Sequence, residues 1–377
     1  MADCIRFIAA LLAGGAVALS PAAAQETAES SAGQLEATVL ADGLEHPWAL
    51  SILPDGRFLV TERPGRLRII ADGVVGDPIE GVPDVVAQGQ GGLLDVELAP
   101  DFAQTGQLYL SFSEPGQGGT GTAVMAAKLE TNGNSGQLVD QAIIFRMNNF
   151  DGSTRHFGSR IVVGHDGNLF VTLGERGNGA RAQNPADLAG GVVRIAPDGS
   201  VPADNPKIEG WAPEFWSIGH RNPQGATLRE SDGALFAVEH GARGGDELNL
   251  VEAGKNYGWP EIAYGTNYDG SPIGVGQAQP GLEQPIYYWD PSISPSGLDF
   301  YEGEMFADWQ GDLVLGGLSG TVLVRLDMEG NEVVGEERLF AGTLGRIRDV
   351  TVGPDGALYL ITDAGNGQLI RVARAGE

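Results

Sequence analysis

The sequence predicts an all-β fold, a six-bladed β-propeller of four-stranded antiparallel blades. Three observations predict it. A short unit, a Gly-containing turn followed by an apolar or alternating strand, recurs six times. The 377 residues include 58 Gly and 21 Pro beside an ordinary hydrophobic fraction of 42%, which suits short strands and tight turns rather than disorder. No long stretch combines helical periodicity with a cap at both ends.

The first element along the chain reads as a secretory leader over residues 1–24. Arg6 supplies positive charge, an apolar run follows from Phe7 to Leu19, and Ala22 to Ala24 give an A-x-A cleavage pattern before Gln25. The run is too short to span a bilayer. A periplasmic or secreted protein is therefore expected. Residues 25–37 are expected to be a loose N-terminal tail and 38–377 a single propeller domain.

The repeat follows. Its copies are PDGRFLVTE from Pro54, TGQLYLSFS from Thr105 and HDGNLFVTLGE from His165, then SDGALFAVEHG from Ser231, QGDLVLGGL from Gln310 and PDGALYLITD from Pro354. Another short strand precedes each: WALSIL, LLDVEL, SRIVVG, GATLRE, SGLDFY and IRDVTV. Asp-Gly pairs favour hairpins because Gly accepts the positive φ of such turns. Six units spaced by roughly 45 to 80 residues suggest six blades. The alternative architecture is a β-sandwich with a second β domain. The uneven spacing predicts long loops on one face, with Asn178–Gly210, Asn256–Gln284 and Ser113–Gly121 the largest candidates.

Bulk chemistry excludes several functions. The net charge of −27, from 50 acidic and 23 basic residues, argues against nucleic acid and anionic membranes. It also means that an anionic ligand needs a local cluster of positive charge. Cys4 is the only cysteine and lies in the leader, so the remainder has no thiol. No membrane span is expected in the mature chain. The five histidines have no zinc-type spacing, and no P-loop, G-x-S-x-G elbow or dinucleotide-binding fingerprint is present.

Four clusters can carry chemistry. R-H-F-G-S-R, Arg155 to Arg160, places His156 on a loop before a blade strand, where it could be a general base or a structural histidine. G-H-R-N-P-Q-G puts Arg221 and Asn222 in a turn that can donate several hydrogen bonds in one direction; a plain surface turn is the alternative. G-R-I-R-D-V puts Arg346 and Arg348 on one face of a strand, an anion site or a charged edge. The stretch Glu239 to Pro260 offers Gly-rich carbonyls with Asp246 and Glu247, hard oxygen donors suited to calcium.

Taken in order along the repeat, these clusters resemble the soluble aldose sugar dehydrogenases of the glucose/sorbosone dehydrogenase family, which depend on pyrroloquinoline quinone (PQQ). The matching stretches also include H-P-W-A-L at His46, G-Q-G-G-L-L-D-V at Gly89 and K-N-Y-G-W-P at Lys255, and the likeness runs from about Leu40 to Arg371. The resemblance implies a quinoprotein that oxidises the C1 hydroxyl of aldoses to lactones by hydride transfer to PQQ. It implies His156 as base, Glu175 as its orienting carboxylate and Arg221 as stabiliser of charge on the reduced quinone. Some relatives carry Asp where Glu175 stands. Gln90, Asn222, Arg346 and Arg348 would hold the cofactor with Arg221. The carbonyls of Gly241 and Ala242 would bind the calcium that bridges to PQQ, and Glu247 and Tyr257 a second calcium. One departure stands out: relatives often place a lysine against the cofactor where this chain has Ser319. An unidentified electron acceptor is implied, and a monomer or at most a dimer.

Two other readings remain. A calcium-dependent propeller hydrolase or lactonase would centre on carboxylates around one axial metal, and the paired arginines argue against it. A non-catalytic binding propeller would fit the missing lysine, and the set His156, Glu175 and Arg221 argues against that.

Overall fold

A computed structural model describes residues 25–376, so the expected leader lies outside the described residues. Strands dominate; among the described residues the only α-helix is the single turn Phe102–Thr105. They form six sheets, each built around four antiparallel strands. The first blade holds Pro47–Ile52, Phe58–Glu62, Arg66–Ala71 and Val74–Val75; the second begins with Leu93–Leu98 and the third with Gly158–Val163. Pro223–Arg229, Pro295–Phe300 and Ile347–Val352 open the fourth, fifth and sixth. These opening strands pack against one another in sequence, the sixth against the first, and so ring a central channel.

The six recurring units are the second strands of the six blades: Phe58–Glu62, Gln107–Gly116, Leu169–Leu173, Ala234–Glu239, Leu313–Gly317 and Leu358–Thr362. The segment before each is the inner strand of the same blade. Separate clusters of buried side chains fill the spaces between neighbouring sheets, such as Leu59, Leu93, Leu110 and Phe112 between the first and second blades. Interlocking of this kind makes each blade depend on its neighbours.

Two expectations need correction. Residues 25–37 are not a loose tail. Gln25–Ser30 and Gly33–Leu44 form a hairpin, and Gly33–Leu44 pairs with the C-terminal strand Gly367–Arg374. The C-terminal segment supplies only three strands of the sixth blade, and the N-terminal strand becomes the fourth, covering an edge that would otherwise be open. Ala37 is buried there and Leu35 has no exposed surface. Of the expected loops, one is largely strand and another is loop around a single short strand. Ser113–Gly121 is the tip of a hairpin between Gln107–Gly116 and Gly119–Asn132, and Asn178–Gly210 contains the strand Gly191–Ile195.

All inner strands run the same way along the channel. Their starts and the ends of the second strands therefore meet on one face, while the Asp-Gly turns lie on the other. That rule decides which residues can reach a common site.

Candidate active site

A cavity of about 370 Å³ opens on the face where the inner strands start. Its walls include His156, Arg221, Gln90, Arg346, Arg348, Gly241 and Ala242, so the separate sequence clusters converge there. Arg63, Trp48, Gln224, His240, Tyr268 and Asp363 also line it; none had an assigned role, although Trp48, Gln224 and His240 lie within the motifs quoted above.

His156 sits on left-handed backbone at φ 54°, a conformation that non-glycine residues adopt at a cost. Gln90 Oε1 holds that backbone by accepting from the His156 N–H at 2.6 Å. The imidazole Nδ1 lies 2.9 Å from Glu175 Oε1, although the contact is not aligned as a linear hydrogen bond. Glu175 is itself fixed: its carboxylate accepts from the Gly177 N–H, and its own N–H donates to the Arg221 carbonyl at 3.0 Å. With Nδ1 turned to Glu175, Nε2 is the nitrogen left for a ligand. Burial lowers the pKa of His156, Glu175 opposes this, and Arg221 and Arg155 add to the lowering. The ring is therefore a neutral base near pH 7.

Arg221 and Asn222 lie almost wholly inside the protein. The Arg221 N–H donates to Glu239 Oε2 at 2.6 Å, and Arg221 Nη1 to the His240 carbonyl at 3.0 Å. Its guanidinium carbon stands 5.2 Å from the centre of the Trp259 ring. Asn222 Oδ1 accepts from the Gly158 N–H at 3.1 Å. Arg221 Nε, Asn222 Nδ2, Arg348 Nε and Arg63 Nε are buried without a partner. Unsatisfied buried donors are costly, and the three arginines among these line one cavity, which makes it a place for acceptors.

Arg346 and Arg348 both reach Asp363, at 3.5 and 2.9 Å. Burial alone would raise the pKa of Asp363, but Arg348, His46 and Arg63 outweigh it and hold the carboxyl well below the ordinary range. Gln224 Oε1 accepts from Arg348 Nη1 at 2.8 Å. Four arginines thus face this cavity against one carboxylate on the same wall. In a chain of net charge −27, this is the local positive field that an anionic ligand requires.

Gly241 and Ala242 border the main cavity and a smaller one behind it, which Glu247 and Tyr257 also line. Carbonyls and a carboxyl are hard oxygen donors of the kind that calcium takes. Burial pushes the Glu247 carboxyl well above its ordinary range, and the Glu239 carboxylate adds to this. Asn249 Nδ2 donates to both carboxyls, at 3.0 and 3.3 Å. A cation would relieve that crowding. The Tyr257 hydroxyl already donates to the Leu250 carbonyl and accepts from the Glu252 N–H at 2.9 Å, so only its carbonyl could join. Asp246 is not available as the sequence suggested. Its Oδ1 accepts from Ser292 Oγ and from the Gly241 N–H at 2.8 Å, and its Oδ2 accepts from Ile293 N–H at 2.8 Å and Ser294 N–H at 2.7 Å. Those bonds make it a clamp for the loop. Among the described residues, no three His, Cys, Asp or Glu side chains converge on one point, so a cation here would need backbone oxygens beside the Glu247 carboxyl. Ser319 Oγ lies 2.8 Å from Ser294 Oγ, beside the cavity wall.

Residues 44–371 match the Glucose / Sorbosone dehydrogenase family. The chain is 43% identical to the aldose sugar dehydrogenase YliI of Escherichia coli over 342 residues, which cover 89% of this chain and 92% of that protein. The apo-form crystal structure of the soluble aldose sugar dehydrogenase of Escherichia coli superposes with a TM-score of 0.86 at 44% identity, covering 90% of this chain and 99% of that one. The PQQ-bound aldose sugar dehydrogenase of Streptomyces coelicolor superposes with a TM-score of 0.74 at 29% identity, covering 90% and 98%.

Proposed function

This chain belongs to the glucose/sorbosone dehydrogenase family, and from that premise we propose that it is a periplasmic or secreted quinoprotein oxidising the C1 hydroxyl of aldoses to lactones. The observation that carries the reading is one cavity whose wall joins His156 to four arginines, three of them with a buried Nε that has no partner.

The residues fit PQQ, a tricarboxylated quinone. Arg346 and Arg348 would meet its carboxylates, and Arg221 and Asn222 its quinone oxygens, with Gln90 fixing the loop that carries His156. The carbonyls of Gly241 and Ala242 would hold one calcium, and Glu247 with the Tyr257 carbonyl a second one. When bound, PQQ supplies the two-electron acceptor to which the C1 hydride passes.

The chain's own groups do the remaining work. His156 Nε2 takes the proton of the C1 hydroxyl as the hydride leaves, so carbonyl formation and proton removal are coupled. Glu175, 2.9 Å from Nδ1, keeps the ring oriented and stabilises the imidazolium that forms. Arg221 stabilises negative charge that develops on the acceptor. The product is the lactone. Restoring the starting state releases two electrons and two protons: the proton on His156 passes to solvent, and a separate acceptor would take the two electrons of the transferred hydride while its proton also goes to solvent.

The test is reconstitution. Purified protein given PQQ and calcium is expected to reduce a dye with aldoses, to need both additions, and to lose activity in His156→Ala. No activity and no PQQ-dependent rise in melting temperature would sink the reading.

A further inference from the structure

Arg63 belongs to no recognisable motif. It follows the second strand of the first blade, in the stretch T-E-R-P-G. The end of a second strand lies on the cavity face, and there Arg63 lines the wall beside Gln90 and Arg348.

Its backbone is fixed on both sides. The Arg63 N–H donates to the His46 carbonyl at 3.1 Å, and its own carbonyl accepts from the Leu93 N–H at 3.1 Å. A Cβ on Gly92, at φ 144°, would come within 2.1 Å of that carbonyl, so glycine there lets the two blades close over Arg63. The guanidinium Nη1 donates to the Gly89 carbonyl at 2.6 Å. Gly89 is next to Gln90, which holds His156, so the contact ties Arg63 to the loop that sets the base.

Two features show that this arginine is not satisfied within the chain. Its Nε is buried with no partner. Among the described residues it makes no ion pair; the nearby carboxylate Asp363 is already engaged by Arg346, Arg348 and His46. Arg63 also pushes the Arg348 guanidinium toward a lower pKa, after burial and against the pull of Asp363. Crowding a further cation onto this wall costs free energy in the empty protein. A ligand with more than one anionic group would recover it.

We propose that Arg63 is an additional carboxylate-binding residue of the cofactor pocket, bringing to PQQ the positive charge that Ser319 does not supply. The proposal rests on the PQQ reading above. A planar guanidinium held at a fixed backbone can meet a carboxylate through two N–H groups, whereas Lys offers a single charge on a flexible stem.

The test compares Arg63→Gln, Arg63→Lys and the parent protein, each loaded with calcium. Binding is read from quenching of intrinsic tryptophan fluorescence, with Trp48 on the cavity wall as reporter. Two probes are used, PQQ and its trimethyl ester, which keeps the quinone and loses the negative charges. Arg63→Gln is expected to bind PQQ about 10- to 100-fold more weakly and the ester within about twofold of the parent, with Arg63→Lys between. Equal losses for acid and ester would assign Arg63 a structural part and overturn the proposal, as would unchanged PQQ affinity. If the parent protein binds neither probe, the PQQ reading itself falls, and this inference with it.

Discussion

A base that works near neutral pH has to be unprotonated before the substrate arrives. Burial keeps His156 in that state by lowering its pKa, and Glu175 limits the fall. The sign of the pH dependence follows. With a folded pKa below the unfolded value of about 6.5, the acid limb of kcat/KM should lie below pH 6.5. The same shift means that His156 stabilises the fold less as pH drops from 6.5 toward its folded pKa, because the unfolded chain takes up the proton first. Glu175→Gln removes the charge and keeps the shape. It should lower kcat about 100- to 10,000-fold, leave PQQ affinity unchanged and move the acid limb to still lower pH. A limb that stays in place would mean that Glu175 does not act through His156. Of the residues flanked by distinctive neighbours, and so legible in the sequence, His156, Arg221 and Arg348 line one cavity, while Asn222 is wholly buried and is not part of its wall. Arg63 and Asp363 were not legible, because each is a lone charge after an ordinary strand. Only their repeat position, at the cavity end of a second strand, could have pointed to them.

At the scale of the element, the inner hairpins were legible and the rest of each blade was not. Asp-Gly turns and two-sided burial give the first two strands a strong signal, as in Leu358–Thr362, where all five residues are buried. The outer strands vary in length from Val74–Val75 to the 12 residues of Ser135–Arg146, and their solvent side accepts almost any polar residue. The N-terminal strand was misread for another reason. Its polar opening resembles a tail, and its partner Gly367–Arg374 lies at the far end of the chain, where local pattern carries no information. Its role can be measured. Leu35 has no exposed surface and packs in the cluster with Trp309, Leu339 and Leu358. Leu35→Ala should cost about 2–5 kcal/mol of stability, against less than about 0.5 kcal/mol for Val334→Ala on the exposed outer strand of the fifth blade. If the two variants melt alike in thermal denaturation, the N-terminal strand does not help to close the ring.

Across the whole molecule, charge is sorted along the channel. The open face gathers arginines, and the opposite mouth gathers acids: Glu97, Asp299 and Asp349 line a second cavity there with Arg160. Arg160 separates the two. It donates to Asp95 Oδ1 at 2.8 Å and to Asp349 Oδ1 at 3.0 Å, and its guanidinium carbon lies 4.6 Å from the centre of the Trp48 ring, whose residue also lines the upper cavity. One arginine cannot neutralise four carboxyls. Burial therefore pushes Glu97 up to about 8, with Asp95 adding to the shift, and pushes Asp95 and Asp299 up to about 6. The sign is opposite to that for His156. A carboxyl with a raised folded pKa stabilises the fold fully below its unfolded pKa, and that stability is lost as pH rises through the folded value. For Glu97 the loss runs from about pH 4.3 to about 8. Glu97→Gln removes the ionisation and keeps the size, so its gain in melting temperature over the parent should be larger at pH 9 than at pH 5. Salt should shrink that difference only slightly, because charges inside the channel are poorly screened. An equal effect at both pH values would show that Glu97 ionises as it does in water, and that the channel mouth is open to solvent rather than a store of repulsion set beneath the arginine-lined cavity.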